Sequence, residues 1–213
     1  MVKLIYDKFD KQTLSTLPVE EFSGNIVVIT SEVEARKAVR YLLSCDMLGV
    51  DTETRPSFHP GRLHKVSLLQ TATPTECFLF RLNKMGMTDS VIQLLQNKEV
   101  PMIGLSWHDD LLSLHRRAPF EPGYFIDLQD MVGEVGIKDL ALQKVYANLF
   151  HKKISKRQRL SNWDAPELNE HQLQYAAIDA WACLRIYKEL LRLKQAGDYR
   201  LVEVCEPEVV DKH

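Results

Sequence analysis

The apolar positions of this chain fall into short β-branched blocks early and helical spacing late. Residues 1–22 are weakly patterned and read as an arm or short helix laid on a domain. Ile26-Val27-Val28-Ile29 predicts a strand, and Ser31 with Glu34 three residues on predicts a capped helix to about Ser44. Leu48-Gly49-Val50 runs into Asp51-Thr52-Glu53 as a buried strand with a polar end. Lys65–Thr71 and Cys77–Leu82 predict a hairpin closed by Ala72–Glu76. A helix over Thr88–Asn97, capped by Thr88 or Asp89, a strand over Pro101–Ser106 and a short helix over Asp109–Arg116 follow. Phe125–Val132 reads as strand or extended chain, and Lys138–Leu149 has helical spacing. Residues His151–Glu167 are loop-rich. Leu168 to about Ala196 is the longest helical stretch, with Gly197 as its C-cap. Glu203–His213 reads as a frayed acidic tail. Short hairpins followed by crossovers predict an α/β domain, a mixed sheet with helices on its faces. The expected organisation is an arm over 1–22, one domain over 23–197 and a tail over 198–213.

Composition narrows the classes. The 213 residues are 45% hydrophobic and 26% charged, which excludes disordered and low-complexity chains. No apolar run has signal-peptide or membrane-spanning length, so no membrane partner is expected. Cys45, Cys77, Cys183 and Cys205 are scattered, with no CxxC, so a reduced, cytoplasmic protein is expected. With 27 basic and 29 acidic residues the net charge is −2, and a polyanion partner would have to be met by local positive charge.

Three places along the chain carry candidate chemistry. Asp51 and Glu53 lie two apart on a strand and so share a face, converging at the end of a buried segment. Close carboxylates repel unless a cation joins them, and hard oxygen ligands suit Mg²⁺ or Mn²⁺ rather than zinc. Glu32/Glu34 and Glu206/Glu208 share that spacing without such a setting. Tyr175 and Asp179 are four apart on one helix face. Tyr6 and Asp10 repeat the spacing, but Asp179 sits among Ala176, Ala177, Ile178, Ala180, Trp181, Ala182 and Cys183, where a lone acid is costly. Asp109 and Asp110 follow a strand where a helix should begin. Asp109 suits an N-cap, and Asp110 can turn back toward the strand ends. Trp107 and His108 precede them as candidate substrate contacts.

Local positive charge is present in His151–Leu160. Lys152, Lys153, Lys156, Arg157 and Arg159 follow one another with no acid between. Such runs are commonly solvated loops. This one lies shortly before the Tyr175/Asp179 helix and could supply phosphate contacts to the same site, with Lys152, Lys153 and Arg157 foremost.

Asp51-Thr52-Glu53, Asp110 and Tyr175-Ala176-Ala177-Ile178-Asp179, in this order, resemble the three motifs of the DEDD-type 3′–5′ exonucleases with tyrosine in the third motif. Aligning Ile103-Gly104-Leu105 with the family's strand selects Asp110 over Asp109. Leu160-Ser161-Asn162-Trp163 through Pro166, Leu168, Gln172 and Tyr175 is most similar to the Werner-type branch and, less closely, to ribonuclease D. The likeness spans about Ile26 to Leu191. It implies a ribonuclease H-like fold, catalysis by Asp51, Glu53, Asp110, Tyr175 and Asp179, and two divalent cations, Mg²⁺ or Mn²⁺. Asp51, Glu53 and Asp179 would hold the first, Asp51 the second with help from Asp110, and Tyr175 would position the attacking water, with Thr52 near the substrate. The implied substrate is nucleic acid, DNA ahead of RNA, cut from the 3′ end to nucleoside 5′-monophosphates. A ribonuclease D-type exoribonuclease and a non-cutting binding module are the alternatives. A helicase acting in trans is a possible partner, and the oligomeric state is left open.

Overall fold

In the computed structural model, which describes residues 2–59, 61 and 63–204, a six-stranded sheet is assembled around β3, Leu48–Glu53. The other strands of the sheet are β2 (Asn25–Ile29), β4 (Leu68–Ala72), β5 (Glu76–Phe80), β6 (Met102–Gly104) and β7 (Phe125–Asp127), in the order β2-β5-β4-β3-β6-β7. Only β4 runs against its neighbours; β2 pairs parallel with β5, and β3, β6 and β7 pair parallel in series. This is the mixed sheet that the hairpin and crossovers predict.

Side chains alternate along β3, as they must on a pleated strand. Leu48 and Val50 enter a core beneath α2 (Glu32–Leu42), α4 (Asp89–Leu95) and α5 (Trp107–His115). Gly49 faces the long helix α8, Glu170–Ala196, across the other side of the sheet. A Cβ on Gly49 would stand 2.1 Å from the carbonyl oxygen of Ala180, so glycine here lets α8 lie directly on the strand. Ala176, Ala177, Ala180 and Ala182, all buried, are as small as that approach requires. Gly49→Ala is therefore expected to cost about 3 kcal/mol by overpacking, seen as a lowered melting temperature. Activity should fall further than the stability loss explains, because Asp179 moves with α8.

Several expected elements shift by a few residues or change type. Ser31 and Glu34 form the predicted capping box, and Gly197 closes α8 in the left-handed conformation. The stretch from Phe125 divides into β7 and a short helix α6, Leu128–Val132, because Asp127 at the junction accepts the Gln129 N–H and starts a helix. The helix expected from Lys138 starts later, as α7, Leu142–Phe150. A four-residue helix α3, Leu82–Met85, was not signalled by periodicity. The arm carries a strand β1, Lys3–Tyr6, and a helix α1, Lys11–Thr16. β1 pairs in parallel with β8, Tyr199–Val202, from the segment after α8. Within the expected acidic tail, Cys205–His213 lies outside the described residues. Among the described residues no helix is long and apolar enough to cross a membrane.

Candidate active site

β3 delivers Asp51 and Glu53 to the α8 side of the sheet, and the close approach at Gly49 brings Asp179 down to them. Ligand oxygens of the three carboxylates lie within 4.8 Å of one another. Glu53 and Asp179 are buried and Asp51 is half-buried. Burial, with Asp179 and Asp110 nearby, pushes the Asp51 carboxyl well above its ordinary range. Burial and the same group of acids raise Glu53 to about 10, and burial raises Asp179 to about 7. Three acids crowded this way cannot all ionise unless positive charge enters among them.

Asp110 reaches the site from the other side. It lies in the first turns of α5, half-buried, and accepts a hydrogen bond from the Thr52 hydroxyl. Thr52 alternates with Asp51 and Glu53 and faces the α5 side, so Asp110 adjoins the triad instead of entering it. Burial lifts Asp110 to about 6 even though the Thr52 bond lowers it. Asp109 is exposed. It does not cap α5: Ser106 holds the N-cap in a left-handed conformation, with φ of 65°. The backbone N–H groups of Ser106 and Trp107 donate to the two Asp127 oxygens at 2.9 and 2.8 Å. Asp127 thus starts both α5 and α6 and fixes where Asp110 emerges. Sequence reasoning missed it, because a cap supplied from a neighbouring strand leaves no local spacing to read.

Tyr175 packs against the buried Trp163 with ring centroids 6.0 Å apart, and Asp179, one helical turn on, lies close enough for the two groups to shift each other's proton affinity. Burial and the neighbouring carboxylates raise its proton affinity far beyond the usual phenol range. Tyr175 stays protonated near neutral pH, able to orient an oxygen by hydrogen bonding and unable to act as a base.

The expected substrate contacts separate into groups. Trp107 is a correction: it is 2% exposed, packed over Gly104 and edge-on to Phe125 at 5.0 Å, and offers no face to a ligand. Thr52 turns its hydroxyl to Asp110, while His108 is exposed on the first turn of α5. In the basic loop, Lys152 pairs with Glu20 at 2.8 Å and Lys153 donates to the carbonyl of Ser15, so both bind the arm. Lys156, Arg157 and Arg159 are exposed farther along. Lys156 lowers the proton affinity of Asp179 and Arg159 that of Glu53, which puts these two within electrostatic reach of the carboxylates. The loop's far end is fastened beside Glu53: Ser67 donates to Asp164 at 2.8 Å, and the Ser67 N–H donates to the Glu53 carbonyl at 2.7 Å.

A mixed sheet lies under a long helix, with acids converging at the end of its central strand. The chain belongs to the 3′–5′ exonuclease family, which it matches over residues 26–194. It is 29% identical over 189 residues to the mouse bifunctional 3′–5′ exonuclease/ATP-dependent helicase WRN, covering 82% of this chain and 13% of that protein. The mouse relative is thus far longer than the segment shared with this chain. Among solved structures, the Nibbler EXO domain of Aedes aegypti superposes with a TM-score of 0.76 at 20% identity, covering 84% of this chain and 94% of the other. Escherichia coli RNase D, an exoribonuclease involved in structured RNA processing, gives 0.71 at 19% identity, over 81% of this chain and 46% of that one. These two share the fold.

Proposed function

We propose that the protein removes nucleotides one at a time from the 3′ end of DNA, releasing nucleoside 5′-monophosphates. The observation that carries the reading is the convergence of Asp51, Glu53 and Asp179 within 4.8 Å, with Tyr175 beside Asp179 on α8. The buried acids fit a hard divalent cation, Mg²⁺ or Mn²⁺, because their mutual repulsion is what such an ion relieves. Asp51, Glu53 and Asp179 would hold one ion, and Asp51 with Asp110 a second. When bound, such cations neutralise the scissile phosphodiester and lower the pKa of water.

The chain's own groups do the positioning. Tyr175 donates to the attacking water and aligns it with the phosphorus. Thr52 holds Asp110 in place through its hydroxyl. Lys156, Arg157 and Arg159 take the substrate's phosphates, while Lys152 and Lys153 secure the loop that carries them. DNA is our reading from the sequence likeness to the helicase-linked mouse relative, 29% identical over 189 residues. By the same analogy we place its action beside a helicase supplied in trans. RNA is the second reading, supported by the RNase D fold likeness.

Matched 5′-labelled 3′-recessed DNA and single-stranded RNA, incubated with Mg²⁺, Mn²⁺ or EDTA, test this directly. A cation-dependent ladder shortening from the 3′ end of DNA is the expected result; preferential shortening of RNA would install the second reading. Tyr175→Phe removes one oriented donor and should lower kcat by about 10²-fold with KM little changed.

A further inference from the structure

The basic loop is anchored at its start by a part of the chain distant in sequence. Pro18–Glu20 of the arm forms a parallel bridge with Lys153: the Lys153 N–H donates to the Pro18 carbonyl, and the Glu20 N–H to the Lys153 carbonyl, both at 2.9 Å. The Glu20 side chain, only 9% exposed, gathers three partners. Lys152 lies at 2.8 Å, the Arg185 guanidinium of α8 at 2.9 Å, and the Tyr146 hydroxyl of α7 donates to it at 2.8 Å. Arg185 is itself held over the rings of Tyr146, Phe150 and Trp181. Next along the chain Ile154 is buried, and its carbonyl accepts from the Gln143 side chain at 2.6 Å. Beyond the buried Ile154 the loop is exposed at Lys156, Arg157 and Arg159.

We infer that Glu20 is a positioning residue for nucleic-acid binding: by clamping Lys152 and the bridge at Lys153 onto α7 and α8, it sets where Lys156 and Arg159 meet the substrate backbone. The inference rests on the assignment of those two residues to phosphate contacts. A loop held at one end only would have to order itself on every binding event, and that ordering cost falls on affinity and not on the chemical step.

The test combines Glu20→Ala, Lys156→Ala and the double variant, read first as binding of a 5′-fluorescent single-stranded oligodeoxynucleotide by anisotropy in EDTA. Binding is measured without turnover, so the result stands even if the exonuclease reading fails in the digestion assay. Glu20→Ala should raise Kd at least about five-fold and flatten the salt dependence by about 0.7 in log–log slope for each phosphate the loop ceases to neutralise. In the Glu20→Ala background, Lys156→Ala should add little, since both act through one loop. In digestion, KM should rise with kcat within about two-fold. Glu20→Gln, which keeps the oxygen for Tyr146 but not the charge, should fall between wild type and Ala, and it carries the test if Glu20→Ala melts early. An unchanged Kd, a Kd lowered by the released Lys152 and Arg185 charges, or effects that simply multiply would overturn the inference.

Discussion

Asp51→Asn is expected to abolish cation-dependent digestion, by at least about 10³-fold in kcat, while raising the melting temperature of the cation-free protein. Both effects have one cause. Asp51 has its proton affinity raised by burial and by Asp179 and Asp110, so its carboxyl is destabilising until a cation is present. Asparagine keeps the same outline, and its carbonyl oxygen can still accept the Thr52 N–H that Asp51 accepts at 2.9 Å. It removes the charge that the fold must otherwise keep protonated, a gain of about 1–3 kcal/mol. It also removes a carboxylate that would serve both expected cations. Wild type and variant are compared by thermal melting in EDTA and by digestion of 5′-labelled DNA in Mn²⁺. A purified Asp51→Asn protein that still shortens DNA would remove Asp51 from the chemistry, and one that melts lower in EDTA would remove the electrostatic argument.

The carboxylates were legible in the sequence because their positions are local facts. Asp51 and Glu53 follow an apolar strand at the two-residue spacing of one face, and Asp179 is a lone acid in a run of small and apolar residues. The mixed character of the sheet followed from the hairpin and crossovers for the same reason. What could not be read is the set of contacts made between distant segments. Asp127 caps α5 from a strand end some twenty residues away, so the start of α5 shifted from Asp109 to Trp107. Trp107 is a candidate substrate contact in the sequence by its position just before Asp109 and Asp110; Gly104 beneath it leaves a slot that its indole fills instead.

The basic loop shows the same division. Its charge was plain in the sequence, but its division of labour was not, since Lys152 and Lys153 are claimed by Glu20 and Ser15 more than a hundred residues earlier. The pairing of β1 with β8 is equally long-range: two short strands of ordinary composition become a sheet only because Ile5 and Leu201 meet at opposite ends of the chain. Periodicity within either segment carries too little signal to announce it.

Stability of the wild-type protein should depend on pH and cation together, in a direction fixed by the raised carboxyls. An acid whose folded-state pKa lies above its unfolded value holds more protons folded than unfolded between the two, so stability falls as pH rises through that window. The unfolded values lie near ~4. Asp110 at about 6, Asp179 at about 7 and Glu53 at about 10 set the upper limits. In EDTA, the melting temperature relative to Asp179→Asn is therefore expected to drop between about pH 4 and pH 7, by an amount equivalent to a few kcal/mol. The comparison with Asp179→Asn cancels the titration of groups elsewhere, such as Asp7, whose pairing with Lys138 holds it at about 2. Added Mn²⁺ or Mg²⁺ competes with protons for the same oxygens, so its stabilisation should be small at the lower pH and large at the higher one. The variant, with one ligand gone, should show little of either effect. Equal cation stabilisation at both pH values would mean that the ion binds somewhere other than these carboxylates, and the assignment of the centre would fall with it.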